Sequence, residues 1–187
     1  MQRRLDTREK SGKAGYEPGF TLIELIAVIV ILGILASVAL PRFVDLGGSA
    51  RTAAIESLGG SVRSALQLNQ SLAIVRGPGS ADVVPNITWL AMPDGSQVRM
   101  WAGYPDRWCD GIALTQTGFV VPPGGCYLSN AAVAYNRFTF YGYGNAQIPG
   151  GDAGWRIEDA PDPSLCSVRY TYNGTGIPVV TVDTSGC

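Results

Sequence analysis

The sequence predicts an α+β fold: a long N-terminal α-helix, apolar in its first half and amphipathic in its second, packed against a C-terminal antiparallel β-sheet. Three observations predict it. Residues 20–40 run for 21 positions with only Thr21, Glu24 and Ser37 polar. Apolar residues then recur at intervals of three and four as far as about residue 74. After residue 130 the pattern changes to short alternating segments divided by turn residues. A chain of 187 residues holds one globular domain plus an extra element, and 46% apolar content places its 24 glycines and 12 prolines in ordered loops.

The first element is a leader, residues 1–19. It carries Arg3, Arg4, Arg8, Lys10 and Lys13 against Asp6, Glu9 and Glu17; beyond it stand nine arginines, twelve carboxylates and no lysine. The second element is residues 20–41. As a helix the apolar run reaches about 31 Å, the thickness of bilayer hydrocarbon. A basic leader before it puts the N-terminus in the cytoplasm and everything after Pro41 outside, by the positive-inside rule. All four cysteines, Cys109, Cys126, Cys166 and Cys187, fall on the outer side, where an even count implies two disulfides. Three pairings are open; proximity in sequence favours Cys109–Cys126 and Cys166–Cys187.

Local chemistry offers two general readings of this segment. One is a secretory signal peptide ending at Ser37-Val38-Ala39, although 16 apolar positions after a carboxylate make an unusually long core for one. The other is a signal anchor in which Thr21-Leu22-Ile23-Glu24 forms a capping box, with Thr21 at the N-cap.

A more specific reading comes from Gly19-Phe20-Thr21-Leu22-Ile23-Glu24 and the apolar helix after it. This run resembles the cleavage and assembly signature of type IV prepilins, with a phenylalanine start like the type IVa class, though the leader is longer than usual there. The resemblance implies that a prepilin peptidase cuts between Gly19 and Phe20 and that the new Phe20 amine is methylated. It also implies that Phe20 and Glu24 act in filament assembly. No lysine or arginine lies between Phe20 and Pro41 to neutralise Glu24, so the cation left for a buried carboxylate is a terminal amine, with a pKa near about 8.

The third element is the amphipathic helix, residues 42–75. Ala50, Ala54, Leu58, Val62, Ala65 and Leu72 form its apolar stripe, with Arg51, Glu56, Ser57, Arg63, Ser64 and Gln67 on other faces. Gly33 and Pro41 interrupt the helix, and the resemblance implies a bend there. Arg76-Gly77-Pro78-Gly79 ends it. The remainder, residues 76–187, is the sheet head. Its first part, 77–130, reads as irregular. Strands follow in 132–144, where Ala134, Phe138 and Phe140 share a side, and in 154–159, 166–172 and 177–183; Asn173-Gly174-Thr175-Gly176 joins the last two. The C-terminal loop, 166–187, with a final cysteine, resembles pilins of the mannose-sensitive haemagglutinin (MSHA) type, as does the stretch 39–65.

Enzymatic chemistry is not expected. There is no histidine, P-loop or Gly-x-Ser-x-Gly, and no cofactor is implied. A net charge of −1 gives no basic surface for nucleic acid. Asp152, Glu158, Asp159 and Asp162 read as a solvated loop before a calcium site, and no metal is expected. Trp89, Trp101, Trp108 and Trp155 read as core before sugar platforms. Asn69, Asn86 and Asn173 head glycosylation sequons. The resemblance implies these partners: like pilin subunits in a helical filament, prepilin peptidase, inner-membrane assembly machinery, membrane lipid before assembly, and a surface or glycan ligand. The expected location is the inner membrane, single-pass, and then an extracellular pilus. A type II secretion pseudopilin and an uncut, membrane-anchored binding module are the alternatives.

Overall fold

The computed structural model describes residues 19–126, 132–148, 150 and 153–187, so the leader up to residue 18 lies outside the described residues. Helix α1 spans Leu22–Arg76. The chain divides into two compact units, residues 1–43 and 44–187, and α1 contributes to both. In the first unit, every described side chain from Phe20 to Ala39 is exposed.

In the second unit the amphipathic part of α1 supplies one wall of the core. The buried stripe is Ile55, Leu58, Val62 and Leu66, continued by Asn69. This corrects the predicted stripe in part. Leu58 and Val62 hold their places, Ala54, Ala65 and Leu72 are half-buried, and Ala50 is exposed. The face turns by about one residue because Ile55 and Leu66 remove more apolar area from water than alanine does, about 1.5–3 kcal/mol for a full large side chain. Arg76 then places a cation in the last turn, and Gly77, at φ 89°, ends the helix in the left-handed region that glycine tolerates.

The stretch 77–130 is irregular only in part, which corrects the expectation for it; 114–126 carry no helix or strand, and 127–130 lie outside the described residues. It folds strands β1 (Ser80–Ala81), β2 (Ile87–Ala91), β3 (Gln97–Trp101) and β4 (Tyr104–Pro105) into an antiparallel sheet in sequence order. The β2–β3 turn is fixed by Asp94, whose carboxylate accepts from the backbone N–H and hydroxyl of Ser96. The β3–β4 turn has two residues, Ala102 and Gly103, both at positive φ. Leu90, Val98 and Met100 form a small core there with Leu72 and Ala73 of α1. A short helical turn, Cys109–Ala113, follows, every residue of it buried.

The second sheet is a five-stranded meander: β5 (Ala132–Tyr135), β6 (Phe138–Tyr141), β7 (Ala153–Arg156), β8 (Ser167–Thr171) and β9 (Val179–Asp183). The single strand expected over 132–144 is a hairpin instead, turning at Asn136-Arg137 with Asn136 at φ 54°. That turn resets the alternation. Val133 pairs with Phe140 and Tyr135 with Phe138, so these four share the core side and Ala134 does not. Along β8 the expected alternation holds in part: Cys166, Val168, Tyr170 and Tyr172 are buried, but Ser167, expected on the other side, is buried too. The main core joins Ile55, Leu58, Val62 and Leu66 to Phe140, Trp155, Ile157, Val168 and Tyr170.

The disulfides are Cys109–Cys126 and Cys166–Cys187. The second closes a loop that is also docked by backbone bonds, Asp162 N–H to Gly186 O at 3.1 Å and Gly186 N–H to Leu165 O at 3.0 Å. From α1, Arg51 donates through Nε to the Cys187 carbonyl at 2.6 Å. Gly186 leaves no room for a Cβ, which would strike the Asp162 carbonyl and Leu165.

Candidate functional site: the head of the apolar helix

Three polar side chains interrupt the apolar run, and each is bonded locally. Thr21 is the N-cap of α1: the Leu25 N–H donates to its carbonyl at 3.2 Å, the first bond of the helix. Its backbone N–H and its hydroxyl both donate to Glu24 Oε2, at 2.9 and 2.8 Å. The Glu24 N–H closes the exchange on Thr21 Oγ1 at 3.3 Å. This is the capping box that the spacing predicts. It also sets a carboxylate in the first turn, where the helix dipole favours negative charge. Both bonds to Glu24 land on one oxygen, and Oε1 has no protein partner among the described residues. Ser37, the third polar residue, donates its hydroxyl to the Ile34 carbonyl at 2.7 Å. Apart from the Glu24 charge, the segment asks little of an apolar solvent.

Phe20 precedes the cap and is 93% exposed, and Gly19 has open space around it. Leu22–Ala39 is long and apolar enough to cross a membrane, with a mean hydropathy of 2.8 and none of it buried in the protein. The assignment of α1 continues through Gly33 and Pro41. The side chains of residues 40–45 lie outside the described residues.

Other predicted sites do not gather. Glu158 is held by Arg156 in an ion pair at 2.7 Å and accepts from the Tyr141 hydroxyl at 2.7 Å; the Arg156 bond keeps its carboxyl below the usual range. Asp162 accepts from the backbone and hydroxyl of Ser164. Asp152 lies outside the described residues, and among those described no three acidic or cysteine groups are placed to share a metal. Trp155 is core, while Trp89 donates to Asp82 at 2.7 Å. Asn69 is buried and bonded to the Ala65 carbonyl, so its sequon is closed off; Asn86 and Asn173 are exposed.

Sequence reasoning missed a buried ion pair, Arg99 with Asp106 at 3.3 Å. The β3–β4 turn brings these residues together, and the signal for it was the Ala102-Gly103 dipeptide between Trp101 and Tyr104. Burial pushes the Asp106 carboxyl up from the ordinary aspartate value, against the lowering influence of the Arg107 N–H and the Arg99 charge.

An exposed apolar helix with a capped acid in its first turn, in a chain whose remainder is a disulfide-bearing α+β head, suits a membrane-anchored precursor. Comparison makes the class more specific. The model of the prokaryotic N-terminal methylation motif matches residues 16–40, which contain Gly19, Phe20 and Glu24. The chain is 57% identical over 47 residues to the type IV narrow pilus major component PilA5 of Thermus thermophilus. That match covers 25% of this chain and 40% of the relative. No solved structure matches the chain. The motif and this relative support a type IV pilin.

Proposed function

We propose that the chain is a prepilin, cut between Gly19 and Phe20, methylated on the Phe20 amine, and assembled as a structural, non-enzymatic subunit of an extracellular type IV pilus. The observation that carries this reading is Glu24, the one ionisable group on an uncovered apolar helix, four residues after Phe20 and inside the span that the methylation motif matches. A carboxylate at mid-helix in hydrocarbon costs about 2.5–3.5 kcal/mol on insertion scales and less near the end, and it tolerates burial among packed helices only beside a cation. The amine freed at Phe20 is that cation. In a neighbouring, axially shifted subunit it meets the Glu24 oxygen that Thr21 does not use. The contact is head-to-tail and does not close on itself, so it propagates a helical filament.

The capping box supplies the test. Gln serves at the third position of a capping box as Glu does. Glu24→Gln therefore keeps the cap and removes the charge, whereas Glu24→Ala removes both. The expected result is membrane insertion without surface filaments for both variants. Mass spectrometry of sheared filaments from the unaltered chain should find a methylated Phe20 terminus. Abundant filaments from Glu24→Gln would overturn the proposal, and recovery of an intact leader would favour the uncut anchor.

The finer assignment is to the MSHA type, with adhesion to surfaces. Its support is the resemblance of the C-terminal loop together with the Cys166–Cys187 closure. The same disulfide favours a pilin over a secretion pseudopilin, which resembles this chain at the N-terminus but typically uses a calcium loop in place of a C-terminal disulfide. Before assembly the subunit sits in the inner membrane through residues 20–41. Gly33 and Pro41 are where the helix would bend on packing, since proline cannot donate to the carbonyl of Ser37 and glycine stiffens the helix least.

A further inference from the structure

We propose that Asn173 converts itself to aspartate and isoaspartate in the folded head, with the Gly174 backbone nitrogen as nucleophile and water as the second reactant. Of the six asparagines in the chain, Asn173 alone precedes a glycine. The site lies in the loop between β8 and β9, within the second unit, and depends on neither cleavage nor filament assembly.

Access, nucleophile and activation are all present in this loop. Asn173 is exposed, and its side-chain nitrogen, the leaving group, makes no bond among the described residues. Glycine sets no side chain beside its own nitrogen. Among the described residues the Gly174 N–H donates to no carbonyl, and no backbone-to-backbone bond ties residues 173–178. Asn173 Oδ1 accepts from the Thr175 backbone N–H at 3.1 Å and from the Thr175 hydroxyl at 2.8 Å. Two donors already aimed at that oxygen steady the negative charge it gains when its carbon is attacked. Nucleophile and carbonyl sit on adjacent residues, so the attack is intramolecular and closes a succinimide ring.

In the first step the Gly174 nitrogen bonds to Asn173 Cγ and gives its proton to solvent, while the Cγ–Nδ2 bond breaks and ammonia leaves. Water then opens the ring. Breaking the new bond leaves aspartate; breaking the original peptide bond leaves isoaspartate, with the main chain routed through Cβ. Either product adds one negative charge to a chain whose formal charge is −1. Isoaspartate also lengthens the backbone just before Gly174, which lies so close to Trp101 that a Cβ would strike the ring. The modified fraction grows with time since folding, so the site dates the protein. Two similar turns lack one requirement each. Asn145 Oδ1 accepts from the Gln147 N–H at 3.0 Å, but Ala146 follows it. Asp94-Gly95-Ser96 repeats the glycine and both donors, but the Ser96 bonds hold its carboxyl below the usual range, and an ionised carboxylate resists attack.

The test incubates the full-length protein, solubilised in detergent, in mildly alkaline water enriched in heavy oxygen, beside the same chain reduced and unfolded in guanidinium. Peptide mass spectrometry follows each asparagine. The Asn173 peptide of the folded protein should take up one heavy oxygen per event, at least as fast as in the unfolded chain. It should run about tenfold or more ahead of the Asn145 peptide. Thr175→Val removes the hydroxyl donor and should slow the reaction about tenfold, whereas Thr175→Ser keeps both donors and should keep the rate. Circular dichroism checks that each variant is folded. The comparison of folded with unfolded chain needs no variant, and it decides even where Thr175→Val does not fold. The proposal is overturned if Asn173 reacts more slowly in the folded protein than in the unfolded chain, or not at all. It is equally overturned if Asn145 keeps pace with Asn173, or if folded Thr175→Val reacts as fast as the unaltered chain.

Discussion

The two halves of α1 obey opposite rules. From Leu22 to Ala39 nearly every side chain is apolar and none is buried. From Ile55 to Leu66 the apolar residues fall on one stripe, and that stripe is covered by the head. The second half is a protein helix whose partner is already present in the same chain. The first half is apolar all round, and under the proposed function its partner is lipid or other helices. Each half therefore stores its information differently. In the second half it lies in spacing and volume; in the first it lies in the one residue that departs from the pattern, Glu24.

The largest expected effect separates the halves outright. Glu24→Gln should abolish filaments while the thermal melt of the head stays unchanged, because among the described residues Glu24 bonds only to Thr21. Electron microscopy of cell surfaces and circular dichroism of the purified chain read the two outcomes. A head that melts early in this variant would mean the halves are not independent.

How much of this was legible follows from the same contrast. The helix, its cap and its apolar span were readable because each depends on residues three or four positions apart. The C-terminal hairpin was readable for a similar reason, since Asn173-Gly174-Thr175-Gly176 fixes its own turn: Asn173 accepts from the Thr175 N–H and hydroxyl. The sheet β1–β4 was not. Its strands are short, and their faces are mixed rather than alternating; Val98, Arg99 and Met100 are buried in succession. Consecutive burial gives no period of two to detect. The Asn136 turn was missed because Asn-Arg is a weak hairpin signal, and that single miss reversed the face assigned to Ala134. The Arg99–Asp106 pair depends on those unread strands, so it lay out of reach too.

Next in size is the staple of the head. Cys166→Ser with Cys187→Ser should cost about 2–5 kcal/mol in denaturant unfolding, because the disulfide spans 21 residues and Cys166 is fully buried. Membrane insertion of the first half should be unaffected. The docking bonds from Arg51 and Asp162 should leave the C-terminal loop partly ordered, visible as slowed amide exchange at Gly186.

A matched pair of leucines sharpens the contrast further. Leu58→Ala should cost about 2–5 kcal/mol of head stability, because Leu58 sits in the main core. Leu32→Ala removes the same atoms from a side chain that is 57% exposed in the single chain, and should leave the head's unfolding midpoint where it was. Any stability lost at Leu32 in the isolated protein would show that the first half is covered in solution.

The finest test uses two neighbouring glycines. At Gly60 an added Cβ meets nothing within 4 Å, so Gly60→Ala should stabilise by up to about 1 kcal/mol, through the lower entropy of the unfolded chain and better helix propensity. At Gly59 the same Cβ strikes Val182 of β9. Gly59→Ala gains the same propensity but meets an overpacking cost of about 1–3 kcal/mol, and should come out neutral to destabilising. Arg63, one turn on, donates to the Val180 carbonyl at 3.1 Å. The helix and the edge strand are thus tied one turn beyond Gly59, and β9 has little room to yield. Pairing Gly59→Ala with Val182→Ala should restore the Gly60 gain in part, since the smaller residue vacates the space the new methyl needs. Equal effects at the two glycines would mean that the close approach of α1 to β9 is looser than this packing requires.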